Sequence, residues 1–365
     1  MRKDYANSSA ASTSGAIAPL AMSSVRTSST YRPRHGRRPV RPASGRVVKM
    51  RIGTARRDRP ITPARHRPAP AFVWAGIGVL FAVAELWVLG RWAADGVHAV
   101  PAGGEMSTAR ATLLWIWQAL VSAGLAGSLW YSVRTSRHDG KVSVFAALFV
   151  GFLTSAWLDP LTNYRDRTLV FNTRIPNVTS WGPYFPGWNG PAPEYEAQTL
   201  LAMNCFFFGL NIWWVYLTYV LLQRVIKNRP GLGAVAQSAA AAGIALALVA
   251  VFEPICARLG NYSWNTATRF ALFAGHWYQV PLYEIAAAAL IVGAPGAVMI
   301  HRARSHNREV YFLRGSDNSL VRLLAGVGFV HLTMLVYFVT IIIAAALGTG
   351  APPADTPDYL RFDSP

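Results

Sequence analysis

Seven stretches of this chain are apolar for long enough to cross a lipid bilayer, which takes roughly 20 residues of helix. Because nothing in the hydrocarbon core can hydrogen-bond an exposed backbone, such stretches fold as helices. The sequence therefore predicts an all-α, polytopic membrane helical bundle of about seven transmembrane helices. The predicted spans are 71–91, 109–132, 142–159, 199–223, 232–254, 277–300 and 319–348.

The composition favours the same class. Of the 365 residues, 52% are hydrophobic and only 14% are charged, and the mean hydropathy of +0.25 is too high for an ordinary soluble domain. The two cysteines, Cys205 and Cys256, both lie in or at the end of apolar stretches. We interpret them as packing residues and predict no disulfide, metal site or cofactor.

Most of the positive charge lies before the first span. Residues 1–70 contain sixteen Lys or Arg and two Asp, so they carry +14 of the formal net charge of +18. With abundant Ser, Thr and Pro and no apolar period, this segment is predicted to be a disordered basic tail. It could contact anionic lipid, whereas a nucleic-acid partner is not expected; a solvated arm that fixes topology is the simpler interpretation. Met50 is an alternative start.

The loops show a charge asymmetry. Segments 133–141, 224–231 and 301–318 are basic, and the C-terminal segment 349–365 is acidic. The positive-inside rule then predicts a cytoplasmic N-terminus and an outer C-terminus for a multi-pass protein of the cell membrane. The transmembrane domain 71–348 has two long outer loops, 160–198 and 255–276. Loops of this length are usually functional.

Two acidic residues stand directly before proline at the ends of predicted spans. Asp159 ends the third span and Glu253 ends the fifth, and an Asn-Tyr pair follows each of them. Proline disfavours helix continuation, so we expect each carboxylate to mark a helix end at the outer face. A carboxylate is costly there and is disfavoured by the helix dipole, which favours a functional role. The alternative is a simple helix stop.

A third acidic residue, Glu284, lies about two turns inside the sixth span. An ionisable residue at this depth is by default a candidate for function. Desolvation would favour its neutral form, which suits a general acid. The alternative is an interhelical hydrogen bond. We predict that Asp159, Glu253 and Glu284 form one catalytic site near the outer face.

Polar and aromatic residues of the two outer loops are candidates for binding or orienting a substrate. Asn and Tyr can donate and accept hydrogen bonds, although Asn also favours turns and Tyr and Trp also anchor at membrane interfaces. Gln118, Asn204 and Asn211 add polar groups within the predicted spans. The predicted orienting residues are Asn163, Tyr164, Asn172, Trp181, Asn261, Tyr262 and His276, with Glu85 and His331 as further candidates for a proton relay.

Several function classes lack their motifs. The sequence has no Walker loop, no strand followed by GxGxxG, no HExxH and no CxxC. The seventh span contains no Lys, which argues against a retinal Schiff base. Broken-helix repeats typical of transporters are not evident.

A set of short motifs resembles the spirocyclase AveC-like family of actinobacterial membrane proteins, over about residues 71–345. They are Asp159-Pro160-x-x-Asn163-Tyr164, Phe171-Asn172, Ser180-Trp181, Pro186-Gly187-Trp188, Pro193-Glu194, Arg258-x-Gly260-x-Tyr262 and Pro281-x-x-Glu284. The resemblance implies spiroketal formation with dehydration in macrolide (polyketide) biosynthesis. It supplies no catalytic residues, so the predicted site comes from the residues alone.

We therefore expect a cofactor-free enzyme that cyclises or dehydrates a lipophilic, polyketide- or isoprenoid-like small molecule in secondary metabolism, within the lipid bilayer. Two carboxyl groups in unlike environments can divide the roles of acid and base. In this hypothesis Glu284 is the acid, and Asp159 and Glu253 are the base or the group that stabilises a cation. The alternative is a non-enzymatic protein that binds or transports a hydrophobic metabolite.

Overall fold

The computed structural model describes residues 69–266, 268–346, 348 and 351–361. Residues 1–68 of the tail predicted at 1–70 lie outside the described residues. The described chain is mostly helical, and seven of its helical segments are long and apolar enough to cross a membrane. The predicted helical class and the seven apolar helices are confirmed. The orientation of the termini stays a prediction.

Eight α-helices make up most of the described chain. They are α1 (Pro70–Ala94), α2 (Thr108–Asp139), α3 (Val144–Thr154), α4 (Ile212–Asn228), α5 (Ala234–Leu259), α6 (Leu282–Ala287), α7 (Ala294–Ser305) and α8 (Ser319–Ala345). Three other helical segments extend them: a 3-10 helix continues α3 (Ser155–Asn163), another precedes α4 (Cys205–Asn211), and a π-helix joins α6 to α7 (Ala288–Gly293). Short 3-10 turns are Gly182–Tyr184, Pro193–Tyr195, Tyr311–Leu313 and Asp358–Leu360.

Helix α8 packs closely against α1 and α3 because glycine lets the backbones approach. A Cβ atom on Gly326 would lie 2.3 Å from the carbonyl oxygen of Ala147 in α3. One on Gly328 would lie 2.1 Å from the carbonyl oxygen of Trp74 in α1. Small residues at such crossings are typical of helices that associate in lipid, where packing must replace the hydrophobic effect.

Helix α1 presents a wide apolar surface outward. Its buried residues are few, and large apolar side chains such as Leu80, Val83, Leu86 and Trp87 are exposed. Extended apolar surface on a helix of membrane length fits contact with lipid. Seven helices of this length and composition indicate a membrane protein.

A layer of loops covers one end of the bundle. It consists of segments 164–204, 260–266, 268–281 and 351–361, and we call it the loop layer. It contains six short strands: β1 (Leu169–Phe171), β2 (Asn177–Thr179), β3 (Ala197–Thr199), β4 (Tyr262–Trp264), β5 (Ala271–Leu272) and β6 (Val280–Pro281). They form the antiparallel pairs β1–β4, β2–β3 and β5–β6. The β1–β4 pair joins the two long loops.

Ion pairs tie the helices at the opposite end, where the basic loops lie. The Lys141 ammonium is 2.7 Å from the carboxylate of Asp317. The buried Arg322 guanidinium is 2.6 Å from the carboxylate of Glu309 and donates to the carbonyl of Val142 at 2.8 Å. These contacts hold the starts of α3 and α8 together.

The expectation that Asp159-Pro160 and Glu253-Pro254 end their helices was wrong. Helix α5 continues through Pro254 to Leu259 and ends at Gly260, whose φ of +93° is the left-handed cap that glycine favours. The chain after α3 stays helical through Pro160 as a 3-10 helix. A proline removes one backbone hydrogen bond, and neighbouring packing can compensate for that loss in a bundle of apolar helices.

Candidate active site

A cavity of about 90 Å³ lies between the helices and the loop layer, and three carboxyl groups line it. Asp159 comes from the 3-10 segment after α3, Glu253 from the last turns of α5, and Glu284 from the first turn of α6. Glu284 interacts electrostatically with both other carboxyl groups. Since one water needs only ~10–15 Å³, the cavity has room for several. The structure thus brings the three acidic residues of the predicted site together.

Strands β1 and β4 form the roof of this cavity. Leu169 pairs with Trp264, and Phe171 pairs with Tyr262. Because alternate residues of a strand share a face, these four side chains lie on one face of the pair. All four line the cavity. Two loops separated by some ninety residues therefore supply one wall, which the sequence patterns did not predict.

Glu253 has a hydrogen-bond donor in Tyr262. The Tyr262 hydroxyl donates to Oε2 of Glu253 and lies 3.0 Å from the backbone carbonyl of the same residue. Burial, followed by the charge of Glu253, holds the pKa of the Tyr262 hydroxyl well above its usual value. Tyr262 is therefore a neutral donor over the physiological pH range, and it stabilises negative charge on Glu253.

Asp159 stands at the end of a chain of amide groups. Asn204 donates from Nδ2 to Oδ2 of Asp159 at 2.8 Å and also to Oε1 of Gln198. Gln198 in turn donates from Nε2 to Oε1 of Glu196 at 3.0 Å. This network links the cavity carboxyl to a fourth buried acidic residue in the loop layer. Such a network holds Asp159 in one orientation because each amide is fixed by its neighbour.

Glu196 is 1% exposed, although it lies in a loop. Its Oε1 atom accepts hydrogen bonds from Asn163 and Gln198, both at 3.0 Å, and its Oε2 atom has no partner among the described residues. Desolvation by burial raises the pKa of the Glu196 carboxyl to about 8, against the lowering effect of these hydrogen bonds. The neutral form of Glu196 is accordingly favoured near neutral pH.

Glu284 lies where the helix geometry changes. Helix α6 is followed directly by the π-helical segment Ala288–Gly293, and π-helical turns are frequent at functional sites. Tyr337 of α8 lines the same cavity, and its hydroxyl interacts electrostatically with the Glu284 carboxyl. Its Oε2 atom is buried and has no hydrogen-bond partner among the described residues. That oxygen is a buried acceptor whose hydrogen bond no described residue supplies.

The three predicted asparagines hold the backbone and do not line the cavity. Asn163 accepts from the backbone N–H groups of Thr168 and Leu169 at 2.9 and 2.8 Å. Asn172 donates to the carbonyl of Gly260 at 2.7 Å, and Asn261 donates to that of Cys256 at 3.2 Å. These contacts satisfy the turn interpretation of asparagine, so any effect on a substrate would be indirect.

Tyr164 and Trp181 also lie outside the cavity lining. The Tyr164 hydroxyl donates to the carbonyl of Pro186 at 2.6 Å. The Trp181 indole donates to the carbonyl of Trp157 at 2.7 Å. The Tyr164 ring packs edge-on against Trp188 of the loop layer, and the Trp181 ring packs edge-on against Trp92 of α1. His276 is exposed, stacks on Tyr278 and lies 3.3 Å from the carboxylate of Asp355.

Glu85 and His331 form a separate pair between α1 and α8. The Nε2 atom of His331 is 3.9 Å from the Glu85 carboxylate, and its Nδ1 atom lies 2.9 Å from the carbonyl of Val327. Neither residue lines the cavity with the three carboxyl groups. Their role as a proton relay stays a prediction.

Several residues around the carboxyl groups were not among the predicted site residues. Asn204 and Asn211 gave a signal, since each is a polar residue within an apolar span. Glu196 and Tyr337 gave none, because a loop carboxyl and a single tyrosine in an apolar helix look ordinary. Among the described residues, no three His, Cys, Asp or Glu side chains are grouped so that they could hold a metal ion.

Comparison with known families decides the relationship. A family model described as Spirocyclase AveC-like matches residues 141–362. The chain belongs to the spirocyclase AveC-like family. Searches of curated proteins and of solved structures found no match. The family match confirms the resemblance, although it begins at residue 141 instead of 71, so α1 and α2 lie outside it.

All three cavity carboxyl groups and the loop layer up to residue 361 lie within the matched region. Membership in the spirocyclase AveC-like family indicates a cyclase-type role in secondary metabolism. The catalytic residues are not assigned by the match, so the cavity geometry is the basis for the proposal that follows.

Proposed function

We propose that this protein is a membrane-embedded cyclase that closes a lipophilic dihydroxyketone to a spiroketal with loss of water, by acid/base catalysis. One observation carries the proposal: Asp159, Glu253 and Glu284 come from three separate helical segments and line one buried cavity. Buried carboxyl groups are costly unless they have a role or a partner. Family membership supports the cyclase class.

The reaction needs one proton donated and one accepted. A substrate hydroxyl adds to the ketone carbon and gives a hemiketal. An acid then protonates the hydroxyl group of the hemiketal. The bond between this oxygen and the carbon breaks, water departs, and an oxocarbenium ion forms. The second hydroxyl attacks that carbon and gives its proton to a carboxylate. The sum is dihydroxyketone to spiroketal plus one water, with no oxidant or reductant.

The hydrogen bonds around the carboxyl groups support different roles for them. Glu253 accepts a hydrogen bond from Tyr262, which stabilises its anion, so it is the base in this proposal. The buried Oε2 atom of Glu284 has no partner among the described residues, and in this proposal a substrate oxygen supplies that partner and receives the proton. Three negative charges in one cavity would repel each other, so at least one carboxyl is neutral. In this proposal the neutral group is Glu284.

Asp159 and the aromatic walls would stabilise the cation. Asp159 is held toward the cavity by Asn204, and the rings of Phe171, Trp214 and Trp264 line the same space. A carboxylate and aromatic faces both favour a positive charge that develops away from water. The roof also limits the access of water, which would otherwise capture the oxocarbenium ion.

The test uses the full-length protein in lipid vesicles with a synthetic long-chain dihydroxyketone, and measures the stereochemistry of the spiroketal by chiral chromatography with mass spectrometry. Wild-type protein should give one stereoisomer faster than the spontaneous reaction. Glu284→Gln should lower the rate about 100-fold or more, the usual contribution of a general acid.

Glu105→Gln is the control, because it neutralises an exposed carboxyl that does not line this cavity. Its rate should stay within about threefold of wild type, a change worth under ~1 kcal/mol. Unchanged turnover by Glu284→Gln would remove its acid role. Tight binding of the dihydroxyketone by wild-type protein without conversion would replace the cyclase by a binding or transport protein.

A further inference from the structure

A second, apolar groove lies beside the carboxylate cavity, and it opens on the outer surface of the bundle between α2, α4 and α5. Every residue that lines it is aliphatic or aromatic. Leu120 on α2 and Leu217 on α4 are among them, and both are exposed. Its volume is about 220 Å³, larger than that of the cavity.

The groove and the cavity share a wall. Phe207 and Trp214 line both spaces. Asn211, at the junction of the 3-10 segment and α4, lines the cavity and not the groove. Leu210, Trp213 and Leu217 line the groove and not the cavity. The 3-10 segment and α4 therefore present residues to both spaces.

Helix α5 repeats this arrangement with two successive residues. Glu253 lines the cavity and Phe252 lines the groove. Successive helical residues point about 100° apart, so the two spaces meet at this point of the helix. The Phe252 ring packs edge-on against Trp214, with centroids 4.9 Å apart, and stacks on Phe207 with centroids 6.3 Å apart.

The aromatic side chains of Phe207 and Trp214 form part of the wall between the two spaces. A change of side-chain rotamer at these rings would connect the groove to the cavity. Trp117, on the other side of the groove, is fixed because its indole donates to the carbonyl of Ala202 at 2.7 Å. Its polar atom is satisfied, and the ring leaves an apolar surface to the groove.

We infer that this groove holds the apolar chain of the molecule whose oxygenated part reacts in the cavity, and that the molecule enters from the lipid side between α2, α4 and α5. The inference rests on the proposed function, since it names the substrate class of the same site. The substrate is then an amphiphile: an oxygen-rich head for the carboxyl groups, joined to a chain of aliphatic carbon.

The experiment measures binding, separately from turnover. A dihydroxyketone whose alkyl chain carries a photoreactive diazirine is added to the full-length protein in lipid nanodiscs and irradiated, and the labelled peptides are identified by mass spectrometry. Labels should appear on α2 near Leu120 and on α4 near Leu217. An unlabelled long-chain dihydroxyketone should compete for them, and a short-chain one with the same head should not.

Filling the groove gives a second measurement. Leu217→Trp should raise the Kd of the long-chain probe about tenfold, which corresponds to ~1.4 kcal/mol, and leave that of the short-chain compound unchanged. Val220→Trp is the matched control, because Val220 is equally exposed on the same helix (43% against 44%) but does not line the groove. Leu120→Trp, with Leu113→Trp as its control, repeats the test from α2.

Labels spread over all exposed helices, the pattern expected of a diazirine-bearing phosphatidylcholine, would overturn the inference. Equal changes in the Kd of the long-chain probe for the groove variants and their controls would also overturn it. The inference is also overturned if Leu217→Trp and wild-type protein have the same ratio of long-chain to short-chain turnover. That outcome leaves the cyclase function intact. Groove labelling without any spiroketal product supports the groove and removes the cyclase.

Discussion

Two regions of this protein have nearly the same residues and different roles. One runs from Asp159 to Asn163-Tyr164, and the other from Glu253 to Asn261-Tyr262. In both regions the carboxylate lines the cavity and the asparagine holds the backbone. Only the second tyrosine reaches the cavity; the first donates to a loop carbonyl elsewhere.

The backbone that follows each carboxylate explains the difference. After Asp159 the 3-10 helix ends at Asn163, and the Tyr164 ring packs against Trp188 of the loop layer. After Glu253 the helix continues to Leu259, and β4 then returns Tyr262 over the last turn. A shared residue pattern thus predicts a shared neighbourhood, but the spacing decides which side chain faces the site.

The largest difference that we expect between the two regions is the pH dependence of stability. Asn163 contacts Glu196, whose pKa is raised by burial to about 8, whereas the Asn261 side chain has no carboxyl partner among the described residues. Because the folded protein binds this proton more tightly than the unfolded chain, Glu196 stabilises the fold fully below pH ~4.5, and this contribution is lost as the pH rises to about 8. At ~1.4 kcal/mol per pKa unit, the loss is at most about 5 kcal/mol.

The measurement is the apparent Tm of the purified protein between pH 5 and 8. The Tm of wild type should fall as the pH rises over this range. Glu196→Gln, which mimics the protonated acid, should reduce the slope of Tm against pH. Glu194→Gln, an exposed residue of the same loop, should keep the wild-type slope. Identical slopes for all three proteins would show that Glu196 does not titrate in this range.

The next effect concerns the two asparagines. Asn163→Ala would leave two buried backbone N–H groups without an acceptor, so it should destabilise the protein by about 3 kcal/mol. The Asn261 side chain makes one hydrogen bond, at 3.2 Å, and its Oδ1 atom has no partner among the described residues. Asn261→Ala should cost about 1 kcal/mol. Thermal unfolding of both variants at one pH measures the contrast, and equal Tm shifts would contradict it.

The smallest effect in free energy separates the tyrosines by activity. Tyr262→Phe removes the hydrogen bond to the proposed base, worth about 2 kcal/mol, and should lower kcat roughly 10- to 100-fold. Tyr164→Phe removes a hydrogen bond far from the carboxyl groups and should change kcat less than about twofold. Chiral product analysis in vesicles measures both. Similar rates for the two variants would mean that Tyr262 does not act on the reaction.

Much of the helical architecture could be predicted, because each apolar stretch carries its own signal. All seven predicted spans overlap an apolar helix of the structure. The start of the fourth was placed too early, since residues 197–199 form β3 instead. Strands of three residues have no measurable period, so the β1–β4 pair could not be read from the sequence.

Site residues could be predicted where a carboxyl group stands in an apolar segment, because its free-energy cost there indicates a function. Residues that only tertiary packing brings to the site could not be predicted. Asp159, Glu253 and Glu284 stood out because a carboxyl group in an apolar segment needs a reason. Glu196 looked like an ordinary loop residue, and its burial follows from contacts with Asn163 and Gln198. The assignment of Asp159, Glu253 and Glu284 as catalytic groups stays a prediction that the variants above test.

The π-helical segment after Glu284 sets the rotational phase of the sixth membrane-length helix. A π-turn holds one residue more than an α-turn, and each residue in a helix corresponds to about 100° of rotation. Deleting one residue within Ala288–Gly293 would restore regular winding and turn Glu284 by that angle relative to α7. The acid would then point away from the cavity while the helix kept its place in the bundle.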